Sequence, residues 1–233
     1  MSFIFRPQGQ PAVAILHSER SFPVRRIFCV GQNYADHARE MGSDPNRESP
    51  FFFSKPADAV VANGEAINYP GQTQNLHHEV ELVVALDRAA LNIDTSEASE
   101  CIYGYAVGND LTRRDLQSSA KKIGRPWDVA KGFDQSAPLS ALVPITECGE
   151  LISGEISLKV NGETRQAGDL SQMIWNVNEI ITTLSRLYHL QPGDLIFTGT
   201  PAGVGSVKPG DVLEAYIEGV GSLSNSIIEP LIK

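Results

Sequence analysis

The 233 residues, 42% of them hydrophobic, are enough for one sizeable core, and a chain of this length still fits a single domain. Nineteen Lys and Arg against 28 Asp and Glu leave a formal net charge of −9 with no basic stripe, which argues against nucleic acid or an anionic membrane as the main partner but leaves room for a bound cation. Three widely spaced cysteines (Cys29, Cys101, Cys148) form neither a disulfide framework nor a CxxC zinc site, and no secretion signal or membrane-length apolar run is present, so a cytoplasmic setting is expected.

Residues 1–23 read as a short lead-in of strand pieces (Phe3 to Phe5, Val13 to Leu16) broken by Pro7, Pro11 and Pro23, and residues 24–233 as the main domain. Arg26 to Val30 is a short apolar run ended by Gly31, and Asn33 to Met41 then carries helix formers up to Gly42, a natural stop. Phe51 to Phe53 reads as a buried strand. In Glu79 to Leu86 the residues alternate so that Val80, Leu82, Val84 and Leu86 share one face.

Ile102 to Asn109 is another strand, and the Thr112-x-x-Asp115 spacing just after it has the form of a capping box, predicting a helix toward Lys122. Ile156 to Val160, Asn161-Gly162 and the residues from Glu163 predict a hairpin with a type I′ turn. The strongest helical pattern runs from about Ser171 to Tyr188, with Ile174, Val177, Ile180, Ile181 and Leu184 in step. Pro-Gly-Asp turns at 192–194 and 209–211 precede the apolar runs Leu195 to Phe197 and Val212 to Ile217, which suggests antiparallel β structure. Many short strands, two or three helices and no regular βαβα alternation make this an α+β, mostly β chain.

His37 and Glu40 lie three apart on the short helix, so a carboxylate can orient the imidazole as a general base; exposed pairs at this spacing are also common on polar helix surfaces. Glu79 and Glu81 share a strand face, and Asp110 at the end of another strand can supply a third carboxylate. Three carboxylates without Cys or paired His describe a hard-oxygen site for Mg²⁺, Mn²⁺ or Ca²⁺, although alternating Glu also marks a solvated strand face. His77 and His78 point to opposite faces, so both cannot easily ligate one metal. Lys131 sits among apolar and small neighbours, where it can meet an anionic substrate or lie on the surface. The Gly-rich Thr198 to Gly205 loop can present N–H groups to a carboxylate or phosphate, yet it lacks the Walker spacing, and neither Gly-x-Gly-x-x-Gly nor Gly-x-Ser-x-Gly occurs. Cys29, in an apolar run, reads as a small buried hydrophobe.

Six motifs occur in one order: Cys29-Val-Gly-Gln-Asn-Tyr-Ala-Asp-His-Ala-Arg-Glu-Met-Gly42, Ser54-Lys-Pro56, His77-His-Glu-Val-Glu-Leu82, Gly108-Asn-Asp-Leu-Thr-Arg-Arg-Asp-Leu-Gln117, Lys131-Gly-Phe-Asp134 and Thr198-Gly-Thr-Pro-Ala-Gly-Val-Gly205. Together they resemble the fumarylacetoacetate hydrolase family over roughly residues 24 to 230, and most of all its short single-domain acylpyruvate or fumarylpyruvate hydrolases. The resemblance implies a mixed β-sandwich roll of that family's C-terminal-domain type, formed by residues 24–233, and a homodimer. It implies Mg²⁺ or Mn²⁺ held by Glu79, Glu81 and Asp110, with His37 and Glu40 activating water. Lys131 matches the family's active-site lysine, and Arg114, Gln117 and Thr200 match positions that contact substrate.

The expected reaction is metal-dependent hydrolysis of a C–C bond in an acylpyruvate, a 2,4-dioxo acid. The 1-carboxylate and 2-oxo oxygen are chelated, water activated by His37 attacks the 4-carbonyl, and Lys131 steadies the oxyanion. With fumarylpyruvate, an intermediate of gentisate breakdown in aromatic catabolism, the products are fumarate and pyruvate. The same site also suits oxaloacetate decarboxylation or isomerisation of 2-oxo dienoates. From another class, a non-catalytic dicarboxylate binder would have no need of an oriented base.

Overall fold

The run Val80–Leu86 is buried along its whole length, so this strand has to be covered on both faces. The computed structural model, which describes residues 3–6, 8–42 and 49–231, shows how. The chain opens on a hairpin, β1 (Ala12–Ala14) and β2 (Ser21–Pro23), and β3 (Arg26–Val30) leads into helix α1 (Ala35–Glu40). Then follow β4 (Phe52–Lys55), β5 (Val60–Ala62), β6 (Ile67–Asn68), β7 (Leu76–His78), β8 (Val80–Leu86), β9 (Ile102–Asn109) and β10 (Thr112–Arg113). Helices α2 (Arg114–Lys122) and α3 (Asp128–Lys131) precede β11 (Ala137–Leu139), β12 (Val143–Pro144) and α4 (Ile145–Cys148). The chain ends with β13 (Glu155–Val160), β14 (Glu163–Asp169), α5 (Val177–Leu187), β15 (Asp194–Phe197), β16 (Gly205–Val207), β17 (Val212–Ile217) and β18 (Gly221–Ile228).

The main sheet runs β4-β3-β15-β8-β9-β11-β5, and a second runs β14-β13-β17-β18-β6. Leu82 and Val84 of β8 pack with Val107 of β9 against Ile156 and Leu158 of β13 and Ala215 and Ile217 of β17, which makes the sandwich. On its other face the main sheet curls onto itself. Ile27, Cys29, Val83, Ala85, Ala106, Leu139, Leu195 and Phe197 form one cluster, and Val13 and Phe22 of the N-terminal hairpin close it. Gly108 is required in this tight interior, because a Cβ there would come within 2.4 Å of Val83 Cγ2. Glu81, two residues before Val83, alternates onto the same inner face, at one mouth of the roll.

The α+β, mostly β expectation holds, and several local details differ. Thr112 does not cap α2. It pairs with His77 in a strand and donates its hydroxyl to Asp110 O, while the Asp115 carboxylate accepts from Thr73 Oγ1 and Gln74 N–H. Long-range strand pairing has overridden a local capping signal. Helix α5 starts at Val177 rather than Ser171, because Asn176 and Glu179 form a reciprocal capping box there. Phe51 is exposed, Phe52 and Phe53 are half-buried, and only Lys55 of β4 is buried, as befits an edge strand. Phe3 to Phe5 is exposed and forms no strand. β15 is antiparallel to β8 but parallel to β3, whereas β17 is antiparallel on both sides. The Asn161-Gly162 hairpin forms as expected, both residues at positive φ. No helix of the described residues is long and apolar enough to cross a membrane.

Candidate metal centre and acid-base pair

Glu79 occupies the one-residue break between β7 and β8, Glu81 is the second residue of β8, and Asp110 follows β9. Two hydrogen bonds lock these strand ends together: Glu79 N–H donates to Asn109 Oδ1 at 2.9 Å, and Asp110 N–H to Glu79 O at 2.8 Å. One carboxylate oxygen from each of Glu79, Glu81 and Asp110 then lies within 4.8 Å of the others, and all three residues are buried. The solvated-face reading of Glu79 and Glu81 is thereby excluded.

Burying a single unpaired ion costs several kcal/mol, so three carboxylates at this spacing need compensation. Three buried cations supply it. Arg114 donates to Glu79 Oε1, and Lys131 Nζ bridges Glu79 Oε2 at 2.7 Å and Asp110 Oδ2 at 2.6 Å. Lys55 Nζ lies 2.8 Å from Asp110 Oδ1, and its hydrogen bonds go to the Leu111 and Lys131 carbonyls. Asp110 Oδ1 therefore has a charge beside it but no hydrogen bond, and remains an open ligand atom. Burial opposes ionisation of Glu79, but Lys131 and Arg114 outweigh it and hold its carboxyl well below the usual range. Glu81 is the reverse: burial, then Asp110 and Glu79, push it well above that range, although Gly199 N–H donates to its Oε2 at 2.7 Å. Gly199 is at φ +97, and a Cβ there would stand 2.6 Å from Asn33 Cβ, so this approach is open only to glycine.

Six-residue α1 is too short to stand alone and is held at its start by Asn33, whose amide donates to Trp175 O and Thr198 O and accepts from Trp175 N–H. His37 on this helix is buried, with Nδ1 3.2 Å from Glu40 Oε2; the carboxylate fixes the proton on Nδ1 and leaves Nε2 as the basic nitrogen. Gly203 N–H in turn donates to both Glu40 oxygens at 3.2 Å. Burial lowers the His37 pKa, against the raising effects of Glu79 and the Glu40 hydrogen bond, so the ring is neutral near pH 7.

His37, Glu79, Glu81, Asp110, Arg114, Gln117, Lys131 and Thr200 line one narrow cleft, with Phe53 and Trp127 as aromatic walls. Of the nine residues assigned catalytic, metal or substrate roles from sequence, Glu40 alone stands behind this lining, against His37. His77 and His78 do diverge. His77 accepts from Arg114 Nε at 3.3 Å and is lowered to about 4 by burial and by Arg114, while His78 turns to Gln166. Lys131 is buried, not a surface lysine, and stays charged because Asp110 and Glu79 overcome its desolvation. Cys29 is fully buried, and burial pushes its thiol up. Sequence reasoning assigned no role to Lys55 or Gln166; the signal for Lys55 was a lysine ending an apolar strand just before Pro56.

A model of the fumarylacetoacetate (FAA) hydrolase C-terminal domain matches residues 26–228. The chain belongs to the fumarylacetoacetate hydrolase family. It is 44% identical over 185 residues to the fumarylpyruvate hydrolase of Ralstonia sp, covering 79% of this chain and 95% of that one. It is 43% identical over 206 residues to the oxaloacetate tautomerase FAHD1, mitochondrial, of Homo sapiens, covering 88% and 93%. The crystal structure of fumarylpyruvate hydrolase from Pseudomonas aeruginosa in complex with Mn²⁺ and pyruvate superposes with a TM-score of 0.96 at 49% identity, covering 98% of this chain and 100% of that one. The family's mixed β-sandwich roll is thus the fold seen here.

The balance of three carboxylates against three cations is testable at Lys55. Lys55→Met leaves Asp110 with one partner fewer and is expected to lower the stability of metal-free protein by about 3 kcal/mol. Mn²⁺ should narrow that gap by restoring positive charge. Urea denaturation with and without Mn²⁺ reads both; a loss below about 0.5 kcal/mol, the usual size for neutral surface changes, would contradict the charge balance.

Proposed function

We propose that this chain is a divalent-metal-dependent hydrolase that cleaves the C–C bond of acylpyruvates, with fumarylpyruvate as substrate and fumarate and pyruvate as products, in gentisate breakdown. The observation that carries this reading is the meeting, in one cleft, of a buried carboxylate triad with an oriented neutral histidine. The likeness to a fumarylpyruvate hydrolase that holds Mn²⁺ and pyruvate supports it.

The donor set fits a hard cation: three buried carboxylates, with an Asp110 Oδ1 that accepts no hydrogen bond, and no sulfur or imidazole among them. Glu79, Glu81 and Asp110 are the proposed ligands, of Mg²⁺ or Mn²⁺, with Ca²⁺ compatible. When bound, such a cation supplies Lewis-acid polarisation of a 2-oxo acid, making pyruvate enolate an acceptable leaving group.

His37 Nε2 takes the proton of a water that attacks the 4-carbonyl, and Glu40 steadies the resulting imidazolium through Nδ1. The Lys131 ammonium, desolvated beside the site, faces the developing oxyanion, a task for which one fixed donor is worth about 3 kcal/mol. Arg114 spends three donors on His77, Gln117 and Glu79 and keeps two for a substrate oxygen. Gln117, whose Oε1 is taken by Arg114, keeps its amide N–H groups for the same purpose. The proposed catalytic unit is residues 24–233 after a lead-in of 1–23. With Cys29, Cys101 and Cys148 all free thiols, the proposed setting is cytoplasmic.

Oxaloacetate is the second reading, favoured by the oxaloacetate tautomerase relatives; it offers the same 2-oxo acid group without a carbonyl that water must attack. The two part at the dyad. His37→Ala and Glu40→Gln are each expected to lower fumarylpyruvate turnover roughly 10²–10⁴-fold with little change in pyruvate binding. Assays of both substrates on wild type and variants decide: His37→Ala cleaving fumarylpyruvate at the full rate removes the mechanism, and wild type that turns over only oxaloacetate selects the second reading. The proposed assembly is a homodimer, for which light scattering should give twice the 25.3 kDa chain mass; a monomer mass at micromolar concentration would refute it.

A further inference from the structure

Gln166 on β14 is fully buried and belongs to the second sheet, not to the sheet that carries the carboxylates. Its amide uses all four hydrogen-bond positions. Oε1 accepts from Val80 N–H at 3.1 Å and from His78 Nδ1 at 2.9 Å, while Nε2 donates to Pro201 O at 2.8 Å and to Thr200 Oγ1 at 2.7 Å. The amide cannot flip, because Val80 N–H can only donate and the Pro201 carbonyl can only accept. His78 must then carry a proton on Nδ1, and Thr200 Oγ1 must be an acceptor toward Gln166. A hydroxyl has a single proton. Thr200 donates it to no acceptor among the described residues, and the residue lines the cleft.

We propose that Gln166 is a positioning residue: it keeps the Thr200 hydroxyl a donor toward the cleft, aimed at an oxygen of a bound 2-oxo acid. The same amide holds Val80, the residue between Glu79 and Glu81, so one side chain sets the loop bearing Thr200 in register with the carboxylate strand. The assignment rests on the acylpyruvate reading for the nature of that ligand. Glutamate would not serve at position 166. Its second oxygen would face the Pro201 carbonyl, acceptor to acceptor, and would draw the Thr200 proton to itself.

Pyruvate binding to the Mn²⁺-loaded protein, followed by titration calorimetry with Mn²⁺ affinity measured alongside, tests this. Thr200→Val removes the donor and Gln166→Glu redirects it. Each is expected to weaken pyruvate roughly tenfold or more, the range for a hydrogen bond to a charged partner, while Mn²⁺ affinity holds. The double variant should bind no more weakly than the poorer single variant, because both changes remove one hydrogen bond. Thr200→Ser keeps the hydroxyl and should bind as wild type does.

Gln166→Glu binding pyruvate like wild type, or losses that add in full as a general structural or charge effect would give, overturns the proposal. If Gln166→Glu does not fold, Gln166→Met takes its place, and equal binding by Thr200→Val and Thr200→Ser overturns the proposal on its own. Wild-type protein that binds Mn²⁺ but no pyruvate would instead contradict the acylpyruvate reading beneath it.

Discussion

Three carboxylate oxygens held within 4.8 Å of one another on buried residues are the constraint on which the rest of this molecule depends. At this range like charges repel by several kcal/mol even at the effective dielectric of a protein surface. Lys55, Lys131 and Arg114 answer them, each buried and each in contact with Glu79 or Asp110. A divalent cation that displaces the proton favoured on Glu81 would leave three carboxylates facing three cationic side chains and the metal, a net positive cleft, which is the condition for holding an anionic 2-oxo acid. The cationic side chains make burial of the carboxylates tolerable and, in the proposed function, also prepare the cleft for substrate.

The roll exists to hold those strand ends still. Glu81 alternates with Val83 and Ala85 onto the inner face of a sheet that is packed on both sides, so its position follows from the core rather than from a loop. Glu79 and Asp110 are stitched to each other's strand through Asn109 and the main chain. The acid-base pair is built differently. α1 is short, capped by no side chain, and is tied down by Asn33 at its start and by Gly203 N–H on Glu40. The three carboxylates thus sit on the most over-determined part of the fold and His37 on a lightly held one, as fits its proposed role as a base that must admit water and release product.

Much of this was legible in order along the chain because it is local. The alternation in Glu79 to Leu86, the Asn161-Gly162 turn and the His37–Glu40 spacing each state their structure within a few residues. What escaped sequence reasoning is what depends on distant partners. Whether Glu81 faces solvent depends on the sheet curling on itself, and that rests on the parallel pairing of β15 with β3 across more than 160 residues. Thr112 reads as a cap until β7 pairs with it. Lys55 and Gln166 look like ordinary polar positions on strands, because a buried polar side chain is recognised only by the partners it meets.

The most direct test of the central claim is a crystal of this protein soaked in Mn²⁺ and measured at the manganese absorption edge. The structure predicts one strong anomalous peak coordinated by an oxygen from each of Glu79, Glu81 and Asp110, at about 2.2 Å, close to the distances hard divalent cations adopt with oxygen. Lys131 would be displaced from its bridge between Glu79 and Asp110 toward the cleft. A peak elsewhere, or no peak while the three carboxylates keep their lysine and arginine partners, would contradict it.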